Sequence, residues 1–155
     1  MSLAYERKLT PKPRKLSMST AVQPGLRLSI TVVFTSIAST LSALKRAAVL
    51  ADQLHGRITL VVPQVVPYPL PLTSPPVLID WNERRFHVIA SESTVETTVC
   101  LYFCRDILDT LTKALSPRSL VVIGGRKRWW WPTSEERLAG KLRQAGHEVV
   151  FTERE

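Results

Sequence analysis

The feature that most constrains the fold of this chain is a repeated alternation. Short apolar runs rich in β-branched residues are followed by stretches whose leucines and alanines recur at helical spacing. LRLSITVVF (26–34) reads as a buried strand. In STLSALKRAAVLADQLHG, Leu41, Leu44, Ala47, Ala48, Ala51 and Leu54 form one helical face; Ser39 is placed to cap its start and Gly56 to end it in the left-handed conformation. RITLVVPQVV (57–66) is a second buried strand, expected to end near Pro63 because proline donates nothing to a sheet ladder. PYPLPLTSPP, with five prolines in ten residues, is a stiff loop long enough to cover something. The spacing then predicts a helix over 76–90, with Pro76 in its first turn and Leu78, Trp81, Arg85, Phe86 and Ile89 on one face. TVETTVCLYF (94–103) is a third strand, and CRDILDTLTKAL is a helix with Leu108, Leu111 and Leu115 inward and Pro117 past its end. RSLVVIGG (118–125) is a fourth strand. TSEERLAGKLRQAG is a helix capped by Thr133 or Ser134, with Leu138 and Leu142 inward and Gly146 as its stop, and HEVVFT is the last strand.

Continuous apolar strands alternating with amphipathic helices imply a parallel sheet covered on both faces. With right-handed crossovers this is a doubly wound α/β domain. Such sheets bind ligands beyond the carboxyl ends of their strands, where the strand order reverses. The chain has 155 residues, 45% hydrophobic and 22% charged, which suits one globular domain, assigned to residues 27–153.

Residues 1–26 show no periodicity and carry three prolines and a basic cluster; they read as a disordered arm. Arg7, Lys8, Lys12, Arg14 and Lys15 against Glu6 supply half of the net charge of +8. That balance suits either a solvated tail or an anionic partner. The expectation is a domain that can begin at Met18, with the first 17 residues either a genuine tail or an alternative-start extension. No apolar run approaches the ~18 residues of a membrane span, and the basic N-terminus lacks a secretory pattern. A cytoplasmic protein with no membrane partner is the expectation. Cys100 and Cys104 match no zinc or redox spacing. In a strand they lie ~13 Å apart, so buried free thiols are expected. Cys104 precedes a helix, a position where a thiol is sometimes acidified.

Over about residues 28–152, at ITVVFTSIASTLSAL and SLVVIGGRKRWWWPTSEERLAGKLRQAGHEVVF, the chain resembles the universal stress protein family. The resemblance rests on element order, element length and the strand, glycine loop, helix, strand ending. It implies a five-stranded parallel sheet of order 3-2-1-4-5, like that of the adenine nucleotide alpha hydrolases, and a site between the loops after Phe34 and after Gly124. Nucleotide-binding members carry an acidic residue after the first strand and a loop of the form G-x2-G-x9-G-[ST] after the fourth. Glycines let backbone amides approach phosphates, and the Ser/Thr sits where a helix start favours an anion. Here Thr35, followed by Ser36, stands at the acidic position. Gly124, followed by Gly125, matches the first glycine, while Lys127 replaces the second. Pro132 replaces the third, Thr133, followed by Ser134, fills the Ser/Thr position, and four residues stand where the family has nine. A degenerate, non-catalytic nucleotide cleft follows, with Arg126, Lys127 and Arg128 leaving an anion-friendly corner.

Three readings of Trp129, Trp130 and Trp131 compete. One indole plugs the vacated cleft while another packs on the proline-rich loop; or the run meets a protein partner; or rings and cations together bind nucleotide or single-stranded nucleic acid. His55, His87 and His147 are scattered and read as caps or surface residues, and Asp80, Asp106 and Asp109 as helix-end charges. The leading expectation is therefore a regulatory or interaction module, not an enzyme, with no obligatory cofactor or metal. It is expected to be a homodimer through the last strand, His147 to Thr152, and to have its cleft partly filled by the tryptophan loop. The alternatives are a switch responsive to an adenine nucleotide, ATP or AMP, and a nucleic-acid binder acting through the basic arm and loop.

Overall fold

The computed structural model describes residues 4–9, 29–117 and 119–153. In chain order these form strand β1 (Ala4–Leu9), β2 (Ser29–Val33), helix α1 (Ile37–Leu54), β3 (Arg57–Val65), α2 (Ile79–Ser91), β4 (Thr97–Cys104), α3 (Ile107–Ala114), β5 (Leu120–Gly125), α4 (Ser134–Gln144) and β6 (Glu148–Glu153). They build one six-stranded sheet of order β1-β4-β3-β2-β5-β6. The stretch β4-β3-β2-β5-β6 is parallel throughout and reproduces the expected 3-2-1-4-5 order.

The sixth strand is a correction. β1 comes from the arm expected to be disordered and pairs antiparallel with β4, from Ala4 opposite Cys104 to Leu9 opposite Val99. Alternation puts Tyr5 and Arg7 on one face. Tyr5 stacks on Phe103 with ring centroids 6.0 Å apart, and the Arg7 guanidinium pairs with Glu83 on α2. The rest of the arm lies outside the described residues.

Successive strand residues alternate between two apolar layers, which is why the strands read as continuous apolar runs. Ile30, Val32, Leu60, Leu101 and Phe103 pack with Leu44 and Ala47 of α1 and Phe86 of α2. Val33, Val61, Val121 and Ile123 face Leu111 of α3 and Leu142 of α4.

Several local expectations shift. Ser36, not Ser39, caps α1, its hydroxyl accepting from the Ser39 amide at 3.3 Å. His55, not Gly56, takes the left-handed position, at φ 53°. β3 continues through Pro63 to Val65. The Val61 carbonyl accepts from the Phe34 amide, so alternation points the nitrogen of Pro63 to the same side, beyond the end of β2, where no donor is needed. α2 begins at Ile79, leaving Pro76 outside, and it buries Asn82, Phe86, Ile89 and Ala90. Leu78 and Trp81 stand 79% and 53% exposed. The inward stripe was hidden because a polar residue occupies it: Asn82 exchanges amide hydrogen bonds with Gln64 of β3, at 3.0 and 3.3 Å. In α1, Leu54 is likewise exposed. No described helix is long and apolar enough to cross a membrane.

One contact sets the spacing of the sheet against α1. A Cβ on Gly124 would lie 2.0 Å from the Ser39 carbonyl oxygen, so only glycine lets β5 approach this close. Neither backbone is free to yield, and Gly124→Ala is expected to lose about 3 kcal/mol of unfolding free energy in a denaturant titration. Gly140 of α4 has nothing within 4 Å of its would-be Cβ. Gly140→Ala is expected to gain about 0.5 to 1 kcal/mol in the same measurement, separating the steric role of Gly124 from a general effect of glycine replacement.

β1 predicts a second outcome. A chain beginning at Met18 lacks that strand and uncovers the β4 edge. Its β4 amides should exchange hydrogen measurably faster, while β5 and β6 keep their protection. Unchanged exchange in β4 would remove β1 from the sheet.

Candidate functional site

β2 and β5 are neighbours, but β2 feeds α1 on one face and β5 feeds α4 on the other. Their carboxyl ends therefore diverge and open a cleft between the starts of the two helices. The cleft holds about 450 Å³, within the size range of small-molecule sites. Its floor is the first turn of α1, with Ser36 and Ser39; its far wall is the start of α4, with Thr133, Ser134 and Glu135. The connection between β5 and α4 closes the side with Arg126, Arg128, Trp131 and Pro132.

Five of the eight residues assigned to the site from sequence thus come together: Ser36, Arg126, Arg128, Thr133 and Ser134. Thr35, Gly124 and Gly125 do not line the cleft. Gly124 and Gly125 are buried. A Cβ on Gly125 would lie 2.8 Å from the Glu135 side chain and 2.9 Å from the Phe151 ring, so this glycine too serves packing. Thr35 is spent internally: its hydroxyl donates to the Gly124 carbonyl at 2.9 Å, and its amide donates to the Thr40 hydroxyl at 3.2 Å. The residue at the family's acidic position is here a clasp between the ends of β2 and β5. A carboxylate there would face the Gly124 carbonyl with no proton to offer.

The electrostatics are uneven. The amides at a helix start have no intrahelical acceptor, and the helix dipole adds positive potential. At α1 this field is undiluted, because its first turn carries no acidic residue. At α4 it is offset by Glu135 and Glu136. Thr133 and Glu136 also close a capping box, the Thr133 amide donating to the Glu136 carboxylate at 2.9 Å and the Glu136 amide to the Thr133 hydroxyl at 3.3 Å. Thr133 is therefore occupied as a cap. Arg126 and Arg128 are exposed and have no ion-pair partner among the described residues. Positive character thus gathers where α1 meets the two arginines, and Glu135 offers one acceptor across from them. Ser39 and Glu135 were missed from sequence. Ser39, expected as the cap of α1, instead lies in its first turn three residues past the actual cap, Ser36.

The tryptophans do not fill the cleft. Trp129, Trp130 and Trp131 are 86%, 74% and 74% exposed. Trp129 and Trp130 lean on each other at 4.8 Å and 51°, and Trp131 borders the cleft without entering it. The proline-rich loop is held elsewhere: Arg105 donates to the carbonyls of Val66 and Leu70 at 2.6 and 2.7 Å and lies over the Tyr68 ring at 4.0 Å.

Other candidates resolve locally. Cys100 and Cys104 are buried and not joined in a disulfide. Burial pushes the Cys104 thiol up, against a lesser downward pull from Thr110, so the acidified thiol is not found. His147 is buried, and its Nδ1 accepts from the Ser119 amide at 3.2 Å. Asp106 caps α3, accepting from the Asp109 amide at 2.9 Å. Among the described residues no group of three or more His, Cys, Asp or Glu side chains is placed to hold a metal ion.

Protein-family models and curated proteins give no match to this chain. Among solved structures it is similar to a protein from the universal stress protein family of Burkholderia pseudomallei, with a TM-score of 0.56 and 19% identity over 83% of this chain and 97% of that one. At this identity the likeness is one of fold: the chain has a universal-stress-protein-like α/β fold with an added antiparallel edge strand.

Proposed function

We propose that this chain is a non-catalytic regulatory module of the universal stress protein type, responsive to an adenine nucleotide bound in the cleft between β2 and β5. The observation that carries this reading is the meeting of Arg126 and Arg128, both without an ion-pair partner among the described residues, with the acid-free start of α1 in one cleft. Arginines and helix-start amides suit a phosphate. Glu135 suits a ribose hydroxyl or exocyclic amine, and the Trp131 indole offers a flat apolar wall. The mode differs from that of a long glycine loop, because Gly124 and Gly125 are buried and Pro132 supplies no amide. With few backbone amides left to wrap a phosphate chain, AMP and ADP are the favoured ligands.

Isothermal titration calorimetry with AMP, ADP and ATP tests this. Binding of AMP or ADP is expected, and Arg126→Ala/Arg128→Ala should weaken it on the order of a hundredfold, since two charge-assisted hydrogen bonds are lost. Absence of heat from the parent protein with all three nucleotides would overturn the reading.

A dimer through β6 is the companion proposal. β1 covers the β4 edge of the sheet, whereas β6 is an edge with no neighbour beyond it among the described residues. Such an edge favours pairing with a second copy about a two-fold axis. Light scattering at high protein concentration should give twice the mass of one chain; a sharp monomer would exclude it.

A further inference from the structure

The parallel strands β2 to β5 all release their connections at one end of the sheet. That end gathers most of the exposed large apolar side chains of the described chain. Ile37 begins α1, Tyr68 and Leu78 lie between β3 and α2, and the three tryptophans follow β5. The connections after β3 and β5 flank β2, about 10 Å apart. Trp129, the most exposed of these groups, and its neighbour Trp130 stand clear of the nucleotide cleft. Directly before them run Arg126, Lys127 and Arg128, and no acidic residue occurs from Gly124 to Ser134.

We infer that this end of the sheet docks on the surface of an anionic lipid bilayer, with Trp129 and Trp130 seated among the headgroups and the adjacent basic side chains against lipid phosphate. Indole is at home in that layer, where its ring meets apolar chain and its N–H meets water or ester oxygen. Cations beside it are attracted by the negative surface, each one that meets it raising affinity about fivefold. Ile37 and Leu78 extend the apolar contact, and neither has use in a polar partner's groove. The absence of a spanning helix among the described residues bears on crossing a bilayer, not on adsorbing to one.

Single-stranded nucleic acid fits the same residues less well. Base stacking needs open ring faces, but Trp129 and Trp130 cover part of each other at 4.8 Å and 51°. The three cations sit in one short connection, and Lys127 lies toward the Phe151 ring at 5.7 Å, so they do not track a backbone.

Vesicle flotation of the full, ligand-free chain tests the inference, using phosphatidylcholine vesicles with and without an equal share of phosphatidylglycerol. Binding to the anionic vesicles is expected at least about tenfold tighter than to neutral ones, with a blue shift of tryptophan emission and quenching by brominated acyl chains. Trp129→Ser/Trp130→Ser should keep the melting temperature, because both indoles are exposed, and lose both the quenching and at least about tenfold of the binding. No flotation, or flotation that survives this double substitution, overturns the inference. So does retardation of a single-stranded oligonucleotide by a chain that ignores vesicles. Neither substituted residue lines the cleft, so failure here leaves nucleotide binding untouched, and absence of nucleotide heat in calorimetry leaves the vesicle result untouched.

Discussion

The approach of Gly124 to the backbone of α1 is the contact on which the rest of the site depends. With no Cβ on Gly124, the end of β5 presses against the Ser39 carbonyl, and the Thr35 hydroxyl then reaches the Gly124 carbonyl across the gap. These two contacts fix the end of β2, the first turn of α1 and the end of β5 as one rigid corner. Everything that lines the cleft departs from that corner: Ser36 and Ser39 on one side, and on the other the connection that carries Arg126 and Arg128 to α4. The capping box at Thr133 holds the far wall in the same way, by satisfying a helix start from within. The cleft is thus shaped by backbone packing and internal hydrogen bonds, and its ligand-facing charges are free of structural duty.

The two edges of the sheet show how unequal sequence economy can be. At the β4 edge a six-residue strand is held by a stacked Tyr5–Phe103 pair and the Arg7–Glu83 ion pair, with modest help from ladder hydrogen bonds. An exposed ion pair contributes little by itself. The anchoring comes from the aromatic contact, and it converts one side of an open sheet into a covered one. At the other side, β6 keeps an apolar inner residue, Val149, pairs with β5, and has no strand beyond it among the described residues. The asymmetry leaves one edge available for pairing.

The five parallel strands and three of the four helix faces were legible because apolar alternation and helical spacing report directly on two covered faces; the strand order was only what the family resemblance implied. α2 was displaced because Asn82 is a polar residue in an inward position, legible only once Gln64 is known to face it. β1 was invisible because Ala4–Leu9 holds one aromatic and three consecutive charges, and its place depends on Phe103 and Glu83, far away in the chain. Pro63 misled because its effect depends on which neighbour its nitrogen faces, and that is a property of the sheet. Arg126 and Arg128 do face the cleft, while Gly124 and Gly125 are required by Ser39, Glu135 and Phe151. A glycine pair after a strand signals close approach of something; the sequence does not say whether that is a phosphate or a helix.

The segment from Arg126 to Pro132 reconciles the two surfaces. Arg126 and Arg128 border the cleft, and the residue between them, Lys127, lies toward Phe151 of β6. An extended backbone sends alternate side chains to opposite sides, so three consecutive cations cannot all serve one site. Farther on, Trp131 and Pro132 border the cleft again while Trp129 and Trp130 lean outward on each other. The run of basic and aromatic residues that reads in one dimension as a single patch is divided by its own geometry. One set closes a cleft of small-molecule size; the other is left in water, 74 to 86% exposed, where only a surface outside the fold can cover it.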